Sequence, residues 1–145
     1  MSDSTSLMIP KSFYGIAIAA ILWNLFGVLA YLGQVTISPE TIAELPLEQQ
    51  ALYQDIPIWA TSAYAIAVNA GVIGSILLLM RRVWALYLFV VSFVGVIVQF
   101  SHAMLMPNML AVAGIAGALF SIVITVIAIL LIWYAVYAKN QGWLR

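Results

Sequence analysis

MLAVAGIAGALFSIVITVIAILLIWYAVYA, residues 109–138, decides the fold. It holds no charged residue, and its only side-chain hydrogen-bonding groups before the closing aromatics are Ser121 and Thr125. A membrane-spanning α-helix needs ~20 predominantly apolar residues. In hydrocarbon no water reaches an open backbone N–H or C=O, so a run of this kind must close its hydrogen bonds as a helix. Three similar runs precede it, at about residues 13–35, 58–80 and 84–106. Breaks set them apart: the 36–57 segment, Arg81-Arg82, and a tight turn at Pro107-Asn108. No stretch alternates with the period of two that a strand requires. The sequence therefore predicts an all-α integral membrane four-helix bundle, up-down-up-down, as one transmembrane domain over residues 1–145.

Composition agrees. The chain is 66% hydrophobic and 7% charged, with a mean hydropathy of +1.12. A soluble domain this small cannot bury so much apolar surface. Zero net charge offers nothing to nucleic acid. The lack of cysteine excludes thiolate metal sites, Fe–S clusters, disulfide exchange and Cys nucleophiles. Residues 1–10 carry Asp3 and several hydroxyls instead of a basic n-region, and the apolar run after them is of spanning length. The first span is thus expected to remain as a signal anchor.

Charge gives the orientation. Lys11, Arg81, Arg82, Lys139 and Arg145 all fall on one side of an even-numbered set of spans. The 36–57 segment opposite carries Glu40, Glu44, Glu48 and Asp55 and no Lys or Arg. The positive-inside rule then puts both termini in the cytoplasm. Trp59 belongs at the outer interface, and Trp84, Trp133, Tyr134, Tyr137 and Trp143 at the inner one. Within 36–57, Ser38-Pro39-Glu40 reads as a helix start: a capping hydroxyl, Pro at the first helical position, then an acid at the positive dipole end. Pro46 should divide the segment into two short helices. Its leucines and isoleucines can meet lipid while Glu44, Glu48, Gln49 and Gln50 meet water, as in an amphipathic cap.

Polar groups inside the spans carry the functional information, because lipid makes them costly. On the first span Ala20, Asn24, Gly27, Tyr31 and Gln34 share one arc; on the third, Leu88, Ser92, Gly95, Gln99, His102 and Met106 do. Two readings follow. In one, Asn24 hydrogen-bonds between helices, and His102 packs with Gln99. In the other, Asn24, Tyr31, Gln34, Gln99 and His102 surround a pocket that opens outward beneath the 36–57 segment. The second and fourth spans instead carry rows of small residues: Ala63, Ala67, Gly71 and Ser75, then Ala113, Gly117, Ser121 and Thr125. Such rows let helix backbones approach closely. Asn69 sits at mid-depth off its row, and needs a partner in Asn24 or in a second subunit.

His102 with Met104, Met106 and Met109 offers soft ligands of the kind Cu(I) favours. Methionine is also a common apolar filler, and residues 104 and 106 point apart on a helix. No metal or cofactor is expected. No acid lies within a span to carry a proton, and there is no Walker loop, zinc motif or Ser/His/Asp set.

The stretches Leu22-Trp23-Asn24-Leu25-Phe26-Gly27-Val28, Trp84-Ala85-Leu86, Val98-Gln99-Phe100-Ser101-His102 and Gly142-Trp143-Leu144-Arg145, with the Ser38-Pro39-Glu40 segment, resemble a family of small four-span bacterial membrane proteins. Its members are usually called hypothetical proteins or sugar transporters. The resemblance covers nearly the whole chain. It implies the four-span fold and a bacterial inner (cytoplasmic) membrane, and it brings no active site with it. The chain does not match the small multidrug resistance family, whose first helix carries an embedded Glu where this one has Asn24.

Two functional expectations result. The first is a non-enzymatic bundle that acts by association, as a homo-oligomer or as an accessory subunit of a larger membrane complex. The second is a carrier or binding protein for a small neutral or amphipathic solute, sugar-like or a lipid headgroup, held in the outward polar pocket.

Overall fold

The computed structural model describes residues 8–54, 56–106 and 109–145. Four long helices dominate: α1 (Lys11–Thr36), α4 (Ile58–Leu79), α5 (Trp84–Leu105) and α6 (Met109–Asn140). All four are long and apolar enough to cross a membrane. The protein is a multi-pass membrane helix bundle. The expected turn at Pro107-Asn108 lies outside the described residues.

Two short helices, α2 (Pro39–Ala43) and α3 (Leu47–Gln50), fill the segment between α1 and α4. The Ser38 hydroxyl accepts from the Thr41 N–H at 3.2 Å, and Pro39 occupies the first helical position. The backbone N–H of Glu40 and the Ser38 side chain hold the Glu40 carboxyl below the usual carboxylate range. Pro46 starts α3. The Gln50 amide then donates to Leu45 O at 2.8 Å and to Ala43 O at 3.3 Å, which folds α3 back on the end of α2.

The long helices pack in the order α1–α4–α5–α6, with α4 between α1 and α5. Small residues let them approach. A Cβ added at Gly95 would lie 2.9 Å from Ala63 O and 2.9 Å from Ala67 Cβ. One at Gly74 would lie 3.1 Å from the Phe89 ring. The expected row Ala63, Ala67, Gly71 and Ser75 is buried in these contacts.

All five Lys and Arg residues lie at one end of the bundle, called here the basic end. There α1 and α6 converge: Phe13 and Ala17 are sealed among Ala135, Ala138 and Leu144. Phe13 stacks on Tyr134 with centroids 6.3 Å apart and meets the edge of Trp143 at 5.8 Å. The backbones of α1 and α6 themselves are not closely packed together.

Two helix ends lock this region. α4 closes with Arg81 at φ 62°, its N–H bonding Leu78 O while the Arg82 N–H bonds Leu77 O. α6 closes the same way through Gly142 at φ 72°, with Gly142 N–H on Lys139 O and Trp143 N–H on Ala138 O. Both are Schellman ends. A left-handed φ is unfavourable for an arginine, and here tertiary bonds hold it. Arg81 Nε donates to Trp143 O at 2.9 Å, Arg145 N–H to Arg81 O at 2.8 Å, and Val83 N–H to Arg145 O at 3.2 Å. The C-terminal residues are thereby stitched to the α4–α5 turn, with Leu144 buried.

α6 departs from expectation at one point. Gly114 has φ 67° and ψ 176°, a conformation open essentially to glycine alone, and it breaks the helix near its start. A Cβ at Gly117 would lie 3.0 Å from Ala113 Cβ, where a regular helix leaves ~5–6 Å. The small row on α6 is therefore regular only from Gly117 through Ser121 and Thr125.

Gly95→Ala should destabilise the bundle by about 1–3 kcal/mol through overpacking. Gly15→Ala should not destabilise it, since nothing lies within 4 Å of an added Cβ there. Unfolding of the two variants in mixed micelles compares them directly.

Candidate functional site

The gap between α1 and α6 is a cavity of about 230 Å³. Asn24, Gly27 and Gln34 of α1, Tyr64 of α4, Ser92 and Gln99 of α5 and Ser121 of α6 line it, with Trp23, Phe26, Phe100, Phe120 and Ile124 as apolar wall. Phe26 and Phe120 are 56% and 48% exposed, so the wall between α1 and α6 opens to the outer surface of the bundle. A second cavity of about 210 Å³ lies nearer the loop end. Gln34, Gln99, His102 and Met106 line it together with Leu52, Tyr53 and Ile56 from the α3–α4 connection. Gln34 and Gln99 belong to both and form the partition between them.

The polar floor of the inner cavity is a knot of small hydrogen-bonding groups. Asn24 Nδ2 donates to Ala20 O at 2.9 Å and to Ser75 Oγ at 3.1 Å. Ser75 is fully buried and donates in turn to Gly71 O at 2.8 Å. Ser92 Oγ donates to Ala67 O at 2.7 Å. Gly71 is required because a Cβ there would collide with Asn24 Oδ1. That oxygen lies against Gly71 and receives no hydrogen bond among the described residues, where no fully buried side-chain N or O lacks a partner; it is therefore not completely buried. The side-chain amides of Gln34 and Gln99 likewise make no bond to another described residue.

The five residues singled out in the sequence fall as follows. Asn24, Gln34 and Gln99 line the inner cavity; Gln34, Gln99 and His102 line the outer one. Tyr31 lines neither. Its ring packs edge-on to Tyr64 at 5.3 Å, behind the wall. His102 packs edge-on to Trp59 at 5.6 Å instead of bonding Gln99. Met104 is exposed, while Met106 lines the outer cavity beside His102. Among the described residues no group of three His, Asp or Glu is placed to hold a metal. Among the described residues no Asp, Glu, Lys or Arg lines either cavity.

Asn69 does not bond Asn24, the partner within the chain that its depth suggested. It is exposed on the outside of α4 and donates to its own Ala65 O at 2.8 Å. The reason is helical geometry: position 69 lies two residues from both Ala67 and Gly71, so it points away when they point inward. Ser75 is the partner Asn24 finds. Tyr53 and Tyr64 also contribute, and neither stood out in sequence. Tyr53 reaches the cavity only through the fold of the connection, and Tyr64 is one aromatic among many.

No family model matches the chain, and neither a curated protein nor a solved structure is significantly similar to it.

Asn24→Ala and Ser75→Ala should be coupled by about 0.6–1.7 kcal/mol, the span measured for hydrogen bonds between membrane helices. A double-mutant cycle on unfolding in mixed micelles measures this. Additive single losses would show that the 3.1 Å contact carries no energy.

Proposed function

We propose that the protein is a non-enzymatic binding protein or carrier for a small neutral amphipathic molecule, held between α1 and α6. The observation that carries this reading is the pair Gln34 and Gln99, whose unengaged amides line both cavities. Amides recognise hydroxyl and carbonyl groups, and with no charged side chain among the described residues that line the cavities they suit a neutral head over an ion. The apolar wall and its opening between Phe26 and Phe120 suit a lipid-like body. Neither cavity alone reaches the roughly 300–1,000 Å³ of small-molecule sites; a ligand that turns the Gln34 and Gln99 side chains aside would occupy both. The ligand's head then sits at the two amides and its tail lies along the apolar wall of Phe26, Phe120 and Ile124.

The charge distribution supports a cytoplasmic basic end and an α2–α3 connection on the outside. With the resemblance noted above, it supports a bacterial inner membrane. Association as a homo-oligomer or an accessory subunit remains compatible with this function. It draws no support from the small row of α4, which is used inside the bundle.

Native mass spectrometry of protein extracted gently from its own membrane tests the reading. A reproducible adduct of neutral lipid-like mass is expected, and Gln34→Leu with Gln99→Leu should remove it at unchanged helicity. An adduct-free wild type, or an adduct that survives both substitutions, would sink the proposal.

A further inference from the structure

The outer face of α4 carries a second signal, independent of the cavities. From residue 61 to residue 80 its exposed positions are Ser62, Ile66, Asn69, Ile73, Ile76 and Met80. Every residue between them is buried or half-buried. The spacing is four, three, four, three, four, which is the seam of a left-handed coiled coil. Asn69 sits in the middle of that seam and of α4 itself. At ~1.5 Å per residue it is roughly 15–16 Å from either end of the helix.

We propose that this seam is where a second copy of the chain docks, α4 against α4, with Asn69 as its central contact. An apolar ridge gains little by leaving lipid, since lipid is as apolar as isoleucine. The amide is different. One of its N–H groups is used on Ala65 O. Its other N–H and its Oδ1 have no partner among the described residues, at a depth where water supplies none. An identical amide answers both needs, because asparagine donates and accepts. Copies of one chain insert in the same orientation, so a two-fold axis along the membrane normal runs the two α4 helices parallel. Each layer of the seam then meets itself, and Asn69 faces Asn69 of the partner subunit. One asparagine in such a seam also fixes its register.

The absence of cysteine makes the test direct. Single variants Ser62→Cys and Ile73→Cys, oxidised or treated with a short bifunctional thiol-reactive reagent in native membranes, should give a covalent dimer. Ile122→Cys, exposed on α6, should not. In bicelles Asn69→Leu should weaken dimerisation by about five- to thirtyfold at unchanged helicity, since Asn69 bonds no other helix. Asn69→Gln should restore part of the loss. Equal cross-linking at Ile122, a dimerisation constant indifferent to Asn69→Leu, or cross-links to a different protein would each overturn the proposal. None of these outcomes depends on whether the cavities bind a ligand.

Discussion

α4 approaches α1 and α5 through glycine, alanine and serine, and the rest of the bundle is arranged around that closeness. Inside a membrane, packing of this kind replaces the hydrophobic drive that holds soluble cores together. Gly95 lies against the backbone of Ala63, and Gly71 makes room for the Asn24 amide. Once these backbones are near, short polar side chains can bridge them. Asn24 reaches Ser75, and Ser92 reaches Ala67 O. Longer side chains on α4 would hold the helices apart and leave those groups unpaired in hydrocarbon, where each costs several kcal/mol.

The same arrangement creates the cavity. With α4 engaged by α1 and α5, and α6 packed on α5, α1 and α6 are left to meet only where large side chains span the gap. Phe13, Tyr134 and Trp143 do so at the basic end, and the C-terminal residues pin that end to the α4–α5 turn. Away from it nothing closes the space. The polar arcs of α1 and α5 are therefore divided: Asn24 and Ser92 bond α4 at the cavity floor, and Gln34 and Gln99 line the open space. The pinning of the basic end also explains why the strained φ of Arg81 persists: three bonds to Trp143 and Arg145 depend on it.

The spans, their number, the basic and acidic ends and the two short helices around Pro46 were all legible in the sequence. Each follows from local physics: the length of an apolar run, the backbone's need for hydrogen bonds, proline's missing donor. The polar arcs were legible too, since helical periodicity alone puts Asn24 with Gln34 and Gln99 with His102. What periodicity cannot supply is the neighbour. It could not choose Ser75 over Asn69 for Asn24, set Tyr31 behind Tyr64, or bring Tyr53 to the outer cavity.

By itself, then, the sequence determined that this chain is a four-helix membrane bundle with polar stripes on two of its helices. Only the tertiary structure decided where those stripes point. It turned the α4 small row inward, left Asn69 on the outer surface, and broke α6 at Gly114. The physical reason is that a helix in lipid forms under its own backbone constraint, whereas its rotation about its axis is set by which neighbour comes closest.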